Sequence, residues 1–116
     1  MELLVCVVNR EEHLDRVLAG LVKLGITGAT VLNSQGMAQR VAGQLPVLAG
    51  LQSVREGMRP HNATVFSVIR DHHRVEAAVQ MISETCGDLG RPGTGVVFTI
   101  PVTLAQGLAE EPTAES

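Results

Sequence analysis

The chain has no tryptophan and no tyrosine, and only two phenylalanines, Phe66 and Phe98, among its 116 residues. A core built without large rings must come from Val, Leu, Ile and Ala. RNA recognition on an open sheet relies on aromatic rings that stack on bases, so this composition speaks against it. Basic residues are also few. Nine Lys and Arg against twelve Asp and Glu give a formal charge of −3, which argues against a general nucleic-acid binder. Cysteine is limited to Cys6 and Cys86, with no CxxC pair. That removes a copper-chaperone loop, and the apolar neighbours of both thiols point to buried, reduced cysteines and a cytoplasmic setting. The apolar run at residues 3–8 is too short to span a bilayer and lacks the basic flank and cleavage pattern of a signal peptide. There is no P-loop, no HExxH and no G-x-S-x-G elbow, so no enzyme is expected.

What is present is an aliphatic chain, 45% hydrophobic, long enough for one domain with a real core. Residues 3–8, Leu-Leu-Val-Cys-Val-Val, read as a buried strand. Asn9, with Glu12 three residues on, reads as a helix N-cap in a capping box. Leu14, Val17, Leu18, Leu21 and Val22 form one helical face, and Gly25 ends it. Residues 28–32 are the next strand. The second half repeats the order. Residues 63–69 are a strand, Asp71 caps a helix whose face is Val75, Ala78, Val79 and Ile82, Gly87 ends that helix, and residues 96–102 close the sequence of elements. Two strand–helix–strand units predict an α+β, ferredoxin-like sandwich: a four-stranded antiparallel sheet in the order 4-1-3-2 or its mirror, with both helices on one face. The strands are apolar at nearly every position, whereas a sheet with one wet face alternates. The second face is therefore expected to be covered by other copies of the chain.

A connection of about 29 residues, 34–62, joins the two halves. Such lengths are uncommon in compact domains and usually functional. It holds Arg40, Arg55 and Arg59 against Glu56, a local charge of +2, and a short helix is expected over about 47–56. The domain is expected to span residues 1–106. Residues 107–116 read as an acidic, disordered tail.

The chemistry points to anion binding. Residues 90–95, Gly-Arg-Pro-Gly-Thr-Gly, crowd three glycines and an arginine before the last strand. Such a turn can present free N–H groups to an anion, and Arg91 adds a fork of donors. Residues 35–40, Gln-Gly-Met-Ala-Gln-Arg, offer a second such segment. In the expected topology the two need not meet within one chain, and a subunit interface would bring them together. His72 and His73 are adjacent, cannot share a helix face, and are expected exposed at the start of the second helix. His13 reads as a surface residue. His61, beside Arg59, is the candidate for a polar ligand contact, or for catalysis were the scaffold an enzyme. No metal site is expected.

Residues 93–102, Gly-Thr-Gly-Val-Val-Phe-Thr-Ile-Pro-Val, resemble the G-D-G-K-I-F-V-x-P-V segment of the P-II signal-transduction proteins, their B-loop and following strand. Residues 24–31, Leu-Gly-Ile-Thr-Gly-Ala-Thr-Val, are similar to the family's L-G-x-x-G-x-T-V stretch, and Gly36 falls where the family places the first glycine of its T-loop. The resemblance covers about residues 1–103. It implies a homotrimer, an adenine nucleotide (AMP, ADP or ATP) or related small molecule in clefts between subunits, and a T-loop, here 34–62, that controls a partner such as a membrane transporter or metabolic enzyme. By position, Gly36, Gln39 and Arg40 would line one side of the cleft and Gly93, Thr94 and Gly95 the other, with Arg91 as an added charge. Val96 stands where the family has a lysine, the I-R-T-G-E element is replaced by residues 103–108, and no tyrosine is available for uridylylation. These departures imply a divergent member whose ligand carries fewer phosphates or is another small anion. The alternative is a trimeric ion-handling or structural protein like the CutA proteins, which share the architecture.

Overall fold

Strand β1 (Glu2–Val8) leads into helix α1 (Glu11–Lys23) and β2 (Thr30–Ser34), and the pattern repeats with β3 (Asn62–Ile69), α2 (His72–Cys86) and β4 (Gly95–Pro101). This computed structural model describes residues 1–37, 40, 62–87 and 95–110. The sheet order is β2-β3-β1-β4, and all three pairings are antiparallel. The α+β architecture and the order expected from the residues both hold. The expected helix over 47–56 lies outside the described residues.

Alternation sorts β1 onto two faces. Leu4, Cys6 and Val8 are buried, with Val65 and Ile69 of β3, against Val17 and Leu21 of α1 and Val75, Ala78 and Ile82 of α2. Both helices therefore cover one face. They approach closely at Gly20, where a Cβ would stand 2.6 Å from Sδ of Met81. The two thiols lie in this core, and both are free. Burial first, and the neighbouring Cys86 second, push the Cys6 thiol up to about 12. Burial raises Cys86 as well.

Three expectations are corrected. The cap of α1 is Arg10, with no side-chain hydrogen bond, rather than Asn9. Asn9 is buried at the end of the sheet, so the helix starts one residue later than the capping box implies. Val22 is 62% exposed, because it sits at the far edge of the arc that Val17 and Leu21 centre. Strand β2 begins at Thr30, not Gly28: the Gly28 carbonyl accepts the Ser67 hydroxyl instead of joining the ladder. Asp71 does cap α2, accepting from the His73 N–H at 2.9 Å.

Gly25 ends α1 in the left-handed region, φ +80, and the Arg74 guanidinium donates to its carbonyl at 3.3 Å. A cation there complements the helix C-terminus. A Cβ on Gly25 would meet Cζ of Arg74 at 3.2 Å, whereas Gly87, φ +78, has nothing within 4 Å. Gly87 also has ψ −151, a region essentially confined to glycine, so Gly87→Ala is expected to cost about 1–3 kcal/mol from backbone strain alone. Gly25→Ala adds the contact with Arg74 to its own strain; urea midpoints of Gly25→Ala with Arg74 present and with Arg74→Ala check this, and equal losses in the two backgrounds would mean that Arg74 moves aside freely.

The other sheet face has no helix. Leu3, Val5, Val7, Phe66, Val68, Leu32, Val96, Phe98 and Ile100 share it by register. Val96, Phe98, Ile100 and Leu32 are each nearly half exposed.

Candidate functional site

Antiparallel pairing gathers four strand ends at one edge of the molecule: Ser34, Asn62, Val8 and Gly95. The segment 34–62 and the glycine-rich segment before β4 both attach at this end. Gly36 and Arg40 follow β2, and the Arg40 N–H donates to the Gly36 carbonyl at 3.0 Å, one helical turn just outside the sheet. The exposed Arg40 side chain donates to Gln35 at 3.4 Å. Gly95 opens β4 at φ +135, a conformation that glycine allows and a Cβ disfavours. Gln39, Arg91, Gly93 and Thr94 lie outside the described residues, as do Arg59 and His61.

Gly36 and Gly95 sit at this same end but beyond opposite edge strands. Three inter-strand spacings separate those edges, about 14 Å. Gly36 and Gly95 themselves therefore do not meet within a single chain's sheet. Between them lie Asn9 and Arg10, which leave β1 at the same end. Arg10 is exposed and adds a cation that the sequence reading missed, since it looked like an ordinary residue of a helix start.

The base of the long connection is tied by side chains. Ser34 Oγ donates to Asn62 Oδ1 and lies 2.8 Å from the Thr64 hydroxyl. Ser34 has one proton, so Thr64 is then the donor to Ser34. This polar knot pins β2 to β3 where the chain departs, on a face that is mostly apolar.

The opposite end of the sheet holds a cavity of about 370 Å³, within the size range of small-molecule sites. Residues 26–30, 66–68 and 107–109 form its walls. Among the described residues no ionisable side chain lines it. Thr27 and Thr30 supply hydroxyls, and Phe66 supplies a ring. Phe66 and the stretch 24–31 stood out in the sequence, but none of the lining residues was read there as part of a site. Leu108, one aliphatic residue in a polar tail, was the available signal.

At that same end His72 bridges two elements. Its Nδ1 is 2.7 Å from Glu2 of β1, and its Nε2 is 2.8 Å from Glu76 one turn along α2. The hydrogen bond and charge of Glu2, then Glu76, raise its pKa above the ordinary 6.5. Folding thus favours the imidazolium. The contribution to stability is complete below 6.5 and fades as pH rises through the raised value. His72→Gln is expected to lower Tm in mildly acid buffer, modestly because the pair is exposed, and not above the raised value. A deficit independent of pH would contradict this. His13, expected at the surface, is half-buried, and its Nδ1 is enclosed with no partner among the described residues. Among those residues no cluster of three or more His, Cys, Asp or Glu could hold a metal, and no helix is long and apolar enough to cross a membrane.

The model of one family, described as nitrogen regulatory protein P-II, matches residues 1–111. No curated protein sequence matches the chain.

Proposed function

The chain belongs to the nitrogen regulatory protein P-II family, a family of signal-transduction regulators, and on that footing we propose that it is a non-enzymatic homotrimeric sensor of a small anion, an adenine nucleotide. Its ligand sits in clefts between subunits. The carrying observation is geometric: Gly36 and Arg40 stand past one edge of the sheet and Gly95 past the other, so a second chain is needed to bring such segments together. The apolar face that includes Phe98 and Ile100 supplies the contact surface for that chain.

In this reading the glycine-rich and arginine-bearing segments hold the anionic end of the ligand. Gly36, Gln39 and Arg40 come from one side, and Arg91, Gly93, Thr94 and Gly95 from the other. The charge-free cavity beside Thr30 and Phe66 takes its uncharged ring. With Val96 in the position of the family's lysine, a nucleotide with few phosphates is favoured over ATP. Residues 34–62 report the bound state to a partner, such as a transporter or a metabolic enzyme.

Thermal unfolding against ATP, ADP, AMP, cyclic nucleotides, 2-oxoglutarate, bicarbonate and divalent metals tests this. A ligand present at a hundredfold excess over Kd stabilises the native state by about 2.7 kcal/mol. A clear rise in Tm with one nucleotide class is expected. A response to metals alone would instead favour the CutA-like ion-handling reading, and no response at all would remove the sensor.

A further inference from the structure

Cys6 and Cys86, the chain's two cysteines, both lie in the core under the helices. Helix α2 starts beside the start of β1, where His72 Nδ1 stands 2.7 Å from Glu2. It then runs along that strand, because it turns back after the antiparallel β3. Both elements are about 23 Å long, so they end together as well. The inward row of β1 is Leu4, Cys6 and Val8, and that of α2 is Val75, Ala78, Ile82 and Cys86. The two sulfurs thus belong to the far ends of facing rows. Both thiols are free. After burial, the nearby Cys86 is the second cause that holds the Cys6 thiol up. The end of α2 is also less firmly tied than that of α1. The N–H groups of Leu24, Gly25 and Ile26 bond back to the last turn of α1. The last turn of α2 has no basic residue, and among the described residues nothing stands within 4 Å of a Cβ on Gly87.

We propose that Cys6 and Cys86 are a redox pair: a hydroperoxide joins the two thiols in one disulfide that staples the end of α2 to the end of β1. The nucleotide reading plays no part in it. Entry is through the last turn of α2, since fraying ends open at free energies far below that of global unfolding. Opening brings Cys86 to water, where its thiolate forms more readily. The thiolate attacks one peroxide oxygen and the O–O bond breaks. The leaving alkoxide takes up the proton that Cys86 released and departs as an alcohol. Cys86 is then a sulfenic acid. When the turn closes, the Cys6 sulfur attacks the Cys86 sulfur. The S–S bond forms, the S–O bond breaks, and the hydroxide leaves as water with the Cys6 proton. Each sulfur gives up one electron and the peroxide gains two. The product is neutral, so it suits an apolar core that disfavours a thiolate. Cys86 ends the helix just before residues 88–94, so the staple also fixes where the chain leaves α2.

The test treats the full, reduced chain with hydrogen peroxide, counts thiols by alkylation and identifies products by mass. Both thiols are expected to vanish together, with loss of two hydrogens from the chain and with the peptides that hold Cys6 and Cys86 joined. Dithiothreitol should restore both. Cys6→Ala should stop at the Cys86 sulfenic acid, which dimedone traps. In Cys86→Ala, the deeper Cys6 should stay reduced after the exposed Met37 has become a sulfoxide. Circular dichroism follows the fold of the two variants, and if either fails to fold, the wild-type products still decide. Wild-type chains that gain oxygen at one cysteine alone would overturn the pair. So would chains that cross-link only to one another, or that keep both thiols once Met37 is oxidised.

Discussion

Replacing Phe98 by glutamate is expected to leave the chain folded and to break the proposed homotrimer into monomers. Phe98 lies on the helix-free face in one register row with Val5 and Phe66, and 47% of it is exposed in the single chain. The protomer core does not depend on it. In a homotrimer closed through this face, the same substitution would place a carboxylate in an apolar contact three times over. A buried charge without a partner costs several kcal/mol at each site. Light scattering checks this against the 12.3 kDa protomer, with circular dichroism to follow the fold. Val22→Glu, at an exposed position on α1, is the control and should stay assembled. A wild-type protein that is monomeric at micromolar concentration would sink the idea, and so would a trimeric Phe98→Glu variant.

Leu4→Ala is expected to act on the other side of the same sheet and to be the most damaging simple truncation. Leu4 is 1% exposed and packs in the cluster with Val17, Leu21 and Ile82. Truncating such a leucine costs about 2–5 kcal/mol, because the cavity left behind only partly collapses. At about 4–8 °C per kcal/mol for a domain near this size, the melting point should fall by about 8 °C or more. Leu3, one residue earlier, points to the helix-free face. Leu3→Ala should therefore change mainly how stability depends on protein concentration, since binding to further copies stabilises by mass action. Leu4→Ala should lower stability at every concentration. Melting curves over a hundredfold range of concentration separate the two. If both variants behaved alike, the two faces would not be energetically distinct.

These two substitutions show why the fold was legible. The short unbroken apolar run Leu3 to Val8, and the three-to-four spacing through Val75, Ala78 and Ile82, are one-dimensional patterns. Each has one economical solution in three dimensions. Asp71 was readable as a cap because its carboxylate acts two residues away. The misses are contacts made at long range. Asn9 carries the right local chemistry for a cap, but it is buried at the end of the sheet. Gly28 continues smoothly into Thr30 and Val31, but its carbonyl is claimed by Ser67, thirty-nine residues later. The candidate site was legible in part. Gly36, Arg40 and Gly95 do gather at one end of the sheet, because strand order alone sends them there. The cavity at the other end was not, since Thr27, Phe66 and Leu108 become neighbours only after the chain returns past β4.

The pairing of β1 with β4 also sets a timetable for synthesis. Val8 faces Gly95 across the ladder, so one side of the central strand waits for residues made nearly ninety positions later. At about 5–20 residues per second the wait is on the order of ten seconds. During it the run Leu3 to Val8, apolar on both faces, has no completed sheet to join. Among the described residues even the nearest strand partners, Ser34 and Asn62, are separated by a long connection, with no tight hairpin to nucleate the sheet, and such topologies fold slowly. The nascent chain therefore presents an aggregation-prone segment early and satisfies it last, which makes β1 the point where a ribosome-bound chaperone has most to protect.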